Sequence, residues 1–129
     1  MTKMIEYAEA GPEVREIYDD IMRTRKTDYI NNIWKVLANH PALLRRTWEQ
    51  TRDIMGGPGV LNPLTRELIY LAVSVSNSCE YCTATHTAAA RTKGMSEEML
   101  GEVMSIIALA SGNNRLANGY RVEIDERYR

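Results

Sequence analysis

Three of the chain's four prolines, Pro12, Pro41 and Pro63, each head a run in which apolar residues return at helical intervals. A proline lacks the amide hydrogen and has a nearly fixed φ, so it is tolerated in the first turn of a helix and disrupts a helix interior or a central strand. The runs that follow are Val14, Ile17, Ile21 and Met22; then Leu44, Trp48 and Met55; then Leu64, Leu68, Leu71, Ala72 and Val75. Their separations put each set on one helical face. No stretch reads as a clear strand, and no internal repeat or low-complexity tract is visible. The expectation is an all-α helical bundle of six or seven helices.

The remaining elements follow from their punctuation. Ile33 to Ala38 reads as a short second helix, stopped by Asn39, His40 and Pro41 because the residue before a proline avoids helical dihedrals. The third ends at Gly56, Gly57, Pro58 and Gly59, the strongest break in the chain, read as a hinge or turn because it lacks the order of a phosphate-binding loop. Asn62 caps the fourth helix, which runs from Pro63 through Ser76. With Asn77 or Ser78 as cap, Cys79 to Lys93 reads as an alanine-rich fifth helix closed by Gly94. Ser96 caps a sixth, with Met99, Leu100, Val103, Met104 and Ile107 on its buried side and an interruption expected at Gly112. Residues 113–129 read as a helix of uncertain length and a polar tail.

A chain of 129 residues suits one domain, residues 1–129, and its 44% hydrophobic and 26% charged residues match a folded globular protein. Sixteen basic side chains against seventeen acidic ones leave a net charge of -1, with the two signs interleaved. That balance lacks the basic footprint of a nucleic-acid partner. The densest basic patch, Arg23 to Lys26, falls at the end of the first helix, where cations complement the helix dipole. No secretory pattern opens the chain, and the longest apolar-rich run, Leu68 to Val75, is far short of the roughly 20 residues of a membrane span. The expected place is the cytoplasm, with no membrane contact.

Both cysteines fall in one Cys-x-x-Cys unit, Cys79 and Cys82, with His86 four residues further on. In a reducing compartment so short a pair points to redox or metal chemistry more than to a structural staple. On a helix the three side chains lie within an arc of roughly 60°, and two cysteines three apart have Cα atoms at about 5 to 6 Å, within disulfide range. The pair can cycle between dithiol and disulfide. The nucleophile must be a thiolate, which needs a base or a positive field. His86, one turn beyond Cys82, favours Cys82 as the attacking thiol; the helix dipole, strongest at the first turn, favours Cys79. Cys82 ranks first. Glu67, on the preceding helix, would lie beside His86 if the two helices pair antiparallel, fixing its tautomer or shuttling its proton.

Glu67, twelve residues, Cys79-Glu80-Tyr81-Cys82, three residues and His86 together resemble the core motif of the alkylhydroperoxidase D and carboxymuconolactone decarboxylase family, and the similarity extends over roughly positions 35 to 120. The resemblance implies an all-helical fold, assembly into homo-trimers or hexamers, and reduction of a hydroperoxide substrate through a Cys79–Cys82 disulfide with Glu67 and His86 as proton relay. It implies regeneration of the thiols by a dithiol reductant of thioredoxin-like or lipoyl type, and no cofactor. The hydroperoxidase proper carries a histidine between its cysteines, where this chain has Tyr81; the decarboxylases typically lack the cysteine pair, so that activity is disfavoured.

Two other classes compete. Cys79, Cys82 and His86 could supply three zinc ligands, although the second pair of a structural site is missing. A redox-sensing module would form the disulfide without turnover. His40 reads as a locally bonded residue at a helix break, Met95, Met99 and Met104 as core filler, and Trp34, Trp48 and Tyr70 as packing.

Overall fold

The computed structural model describes all 129 residues, and each of the three proline-headed runs is a helix in it. Helix α1 spans Pro12–Arg25, α2 Asn32–Leu37, α3 Pro41–Gly56, α4 Pro63–Ser76, α5 Glu80–Thr92 and α6 Glu97–Gly119. Two short 3-10 turns, Tyr7–Glu9 and Glu126–Tyr128, lie near the ends, and there is no strand. The all-α expectation of six or seven helices therefore holds, with six. The chain divides into two compact units, Met1–Gly59 and Val60–Arg129, at the glycine-rich break.

In the first unit α1 packs on α3, and so does α2. Val14, Ile17, Tyr18 and Ile21 form the buried stripe of α1 and close a core with Trp34, Leu44 and Trp48. The two indoles meet edge to face at 5.5 Å, a favoured aromatic geometry. Two polar side chains at this core are matched, the Tyr18 hydroxyl donating to the Ile5 carbonyl at 2.8 Å and Trp48 Nε1 donating to Asp20 at 2.7 Å, whereas the buried Trp34 Nε1 has no hydrogen-bond partner. His40 caps α3, its Nδ1 accepting from the Leu43 amide, which is the local role expected of it.

In the second unit α4 and α5 form the closest pair, and α6 packs on α4. Asn62 caps α4 by accepting from the Thr65 amide at 2.8 Å. Leu71, Ala90 and Met95 are the buried centre, surrounded by Leu64, Leu68, Val75, Met99 and Leu100. The methyl side chain of Ala90, fully buried, suits the close approach of α5 to α4.

Two local expectations change. Helix α5 begins at Glu80, and its cap is Cys79 itself, in place of Asn77 or Ser78. Asn77 ends α4, and Ser78 takes the left-handed conformation (φ 58°) that reverses the chain. Helix α6 runs through Gly112 without interruption to Gly119. One interior glycine costs a helix only about 1 kcal/mol relative to alanine, too little to break a 23-residue helix even beside Ser111, Asn113 and Asn114. The predicted inner side of α6, Met99, Leu100, Val103, Met104 and Ile107, is half-buried, and Ile106, Leu109 and Leu116 are exposed.

Candidate active site

On α4 the buried stripe is Glu67, Leu71 and Ser74, spaced four and three, so a carboxylate stands where the pattern would place an apolar residue. An ionised group removed from water must be paired and hydrogen-bonded. Opposite, α5 presents Cys82, His86, Ala90 and Lys93 at intervals of four, four and three, with Cys79 continuing the series at the cap. The short reversal at Asn77 and Ser78 lays the two stripes antiparallel, as the spacing suggested.

The sulfur end of the site is tied to the end of α4: the Cys79 amide donates to the Ser74 carbonyl at 2.9 Å. Cys79 and Cys82 are joined in a disulfide with Cα atoms 5.3 Å apart, within the range expected from their separation. Cys79 Sγ also accepts from the Cys82 amide at 3.2 Å. Because Cys79 is the cap and not a first-turn residue, its sulfur meets the free amides and the positive end of the α5 dipole directly.

At the other end His86 Nδ1 lies 2.7 Å from Glu67 Oε2, and Lys93 Nζ donates to Glu67 Oε1 at 2.5 Å. Glu67 is 4% exposed. Burial pushes its carboxyl up, but the hydrogen bonds from His86 and Lys93, with the charge of Lys93, outweigh that and hold it below the usual carboxylate range. Glu67 is thus an anion with both oxygens engaged. An anionic acceptor facing Nδ1 fixes the neutral His86 as the Nδ1–H tautomer, so Nε2 carries the lone pair. The Tyr70 ring stacks on the imidazole at 3.6 Å and 20° and restricts its rotation.

All four side chains singled out from sequence, Glu67, Cys79, Cys82 and His86, lie on this one α4–α5 face. Lys93 and Tyr70 were missed. Both had a readable signal: Lys93 is seven residues beyond His86 and Tyr70 three beyond Glu67, spacings that share a helical face. Tyr70, read as packing, is instead 39% exposed and covers the imidazole. No three His, Cys, Asp or Glu side chains converge in a way that could hold a metal ion. The two sulfurs are bonded to each other, so in this oxidised state neither is a thiolate able to bind zinc.

Comparison with known proteins places this geometry. A crystal structure of the alkylhydroperoxidase AhpD core from Rhodospirillum rubrum ATCC 11170 superposes with a TM-score of 0.96 at 51% identity, over 99% of this chain and 96% of that one. The alkyl hydroperoxide reductase AhpD of Mycobacteroides abscessus is 37% identical over 60 residues, which is 46% of this chain; the chain spans only about a third of that relative, 34% of its length. The profile of the carboxymuconolactone decarboxylase family matches residues 41–122, well over half the chain and the whole of the α4–α5 face. By fold, motif and profile, this protein belongs to the alkylhydroperoxidase D and carboxymuconolactone decarboxylase family.

Proposed function

We propose that this protein is a thiol-dependent peroxidase that reduces a hydroperoxide at the expense of Cys79 and Cys82. The observation that carries the reading is the placement of a disulfide-forming pair and an ionised Glu67 hydrogen-bonded to His86 along the one α4–α5 face. Both relatives described above bear the names of alkylhydroperoxidases, which supports the same activity here.

In the reduced protein His86 Nε2 accepts the Cys82 thiol proton, and the imidazolium is stabilised by Glu67 through Nδ1–H. The Cys82 thiolate attacks the terminal peroxide oxygen; the O–O bond breaks, the alkoxide takes a proton and leaves as alcohol, and Cys82 becomes a sulfenic acid. Cys79 then attacks that sulfur, expelling water and forming the disulfide. A dithiol reductant returns both electrons. Attack at Cys82 releases the Cys79 thiolate into the amides of the α5 terminus, which makes Cys79 the better leaving group.

The same reading includes a homo-oligomer, trimer or hexamer. Ile69 and Val73 on α4 and Ile106, Leu109 and Leu116 on α6 are 49–64% exposed, an apolar surface suited to a second copy. Light scattering should return about three or six times 14.7 kDa, and a monomer mass at micromolar concentration contradicts it.

The deciding experiment is thiol titration before and after cumene hydroperoxide, followed by turnover with dithiothreitol or dihydrolipoamide. Loss of two thiols per chain with sustained peroxide consumption is expected. Disulfide formation without turnover favours the redox-sensing module, and thiols that never pair remove the cycle.

A further inference from the structure

We infer that Lys93 is a positioning residue of this site, clamping Glu67 Oε1 so that Oε2 alone is presented to His86 Nδ1. The kinetic part of this inference rests on the proposed peroxidase reading; the structural part does not.

A carboxylate bound through a single oxygen can rotate about its last torsion and swap oxygens, and its partner imidazole moves with it. Here each oxygen has its own donor from α5. His86 holds Oε2 and Lys93 holds Oε1, from positions two helical turns apart on the same face. The carboxylate is therefore fixed at both corners, and the ring it orients is fixed with it, with Tyr70 stacked on its face.

Lys93 suits this task by its own placement. It is the residue at the α5 C-terminal cap, where free carbonyls favour a cation, and its amide is bonded to the Ala89 and Ala90 carbonyls. Its side chain is 35% exposed while the carboxylate it contacts is 5% exposed, so the aliphatic stem carries the charge inward from solvent. The charged groups acting on Glu67 are His86 and Lys93, both from α5. On α6 the nearest acid in sequence, Glu97, is paired with Arg91 at 3.0 Å. Without Lys93, burial would work against the Glu67 anion with His86 alone to oppose it.

The test uses the oxidised, disulfide-bonded protein with 13C-carboxyl-labelled glutamate, the Glu67 signal being the one absent from Glu67→Gln. Lys93→Met should move the Glu67 titration to higher pH, and Lys93→Arg should leave it near wild type. In the reduced protein, Lys93→Met should slow the first oxidation by cumene hydroperoxide roughly tenfold, the worth of one charge-assisted hydrogen bond, and should cause no further slowing in a Glu67→Gln background. Lys93→Arg should restore the rate. An unmoved Glu67 titration in folded Lys93→Met, or a full additional loss in the double variant, overturns the inference. If wild type consumes no peroxide, the peroxidase reading fails alone, and the carboxyl titration still decides the clamp.

Discussion

Replacing Glu67 by glutamine keeps the shape and removes the charge, and the geometry dictates how the amide must settle. Glu67 faces two donors, His86 Nδ1–H and the Lys93 ammonium. Glutamine has one acceptor oxygen and one NH2. With its oxygen toward His86, the NH2 confronts Lys93, donor against donor. With its oxygen toward Lys93, the NH2 meets Nδ1, which must then accept, and the proton moves to Nε2. The second arrangement satisfies every group and is the one expected. Two charge-assisted bonds become ordinary ones, a loss of about 1–2 kcal/mol in stability, reduced at the Lys93 end because that ammonium reaches solvent. The chemical cost is larger. A His86 carrying its proton on Nε2 cannot accept the thiol proton there, and the contribution of a positioned base, roughly 10²- to 10⁴-fold, is lost. Urea unfolding should thus show a small change while single-turnover oxidation by cumene hydroperoxide slows at least about a hundredfold. An unchanged oxidation rate, with or without destabilisation, refutes the tautomer assignment; a loss of stability near 4 kcal/mol would show that Glu67 is chiefly structural.

Cys82→Ser should abolish peroxide consumption, while Cys79→Ser should undergo one oxidation and leave a trappable sulfenic acid on Cys82; a stable sulfenic acid on Cys79 in the first variant and none in the second reverses the assignment. Glu67 and Asp20 both titrate below the ordinary carboxylate range, Asp20 chiefly through the Trp48 indole hydrogen bond with Arg52 and Arg23 assisting. A depressed folded-state value contributes stability that is present above the unfolded value and is lost as pH falls through the folded one. Denaturant midpoints should accordingly be level near neutrality and decline in acid, with a shallower decline in Glu67→Gln; equal declines in the two proteins remove Glu67 from the effect. Leu71→Ala, at a fully buried position in the second unit, should cost about 2–5 kcal/mol by urea unfolding, and a cost under 1 kcal/mol would mean that the α4–α5 contact repacks freely.

The helices were legible because their signals are local. Proline at a first turn, Asn62 and Ser96 as caps and Gly94 at a positive φ each act within one turn of chain. The candidate site was legible for a related reason: Cys79, Cys82 and His86 lie within eight residues on one face, and Glu67 carries a motif spacing. Local reasoning misplaced the α5 cap because Asn77 and Ser78 are better caps by type. The tie from the Cys79 amide to the Ser74 carbonyl at the end of α4 draws Cys79 into that position, and no propensity encodes it. Gly112 does not end α6, because its cost of about 1 kcal/mol is small against a helix of 23 residues packed on α4.

From sequence alone came the all-helical class, the cysteine pair, and the histidine and carboxylate proposed to serve it, all read from residue type and from spacing along one chain segment. Only the packed structure decided that Glu67 is buried and ionised, that Lys93 takes its other oxygen and that Tyr70 lies on the imidazole. Those depend on the antiparallel alignment of α4 with α5, which sets residues 19 and 26 apart within hydrogen-bond distance. Desolvation and pairing of a charge are consequences of that alignment, because they exist only once two helices have excluded the water between them.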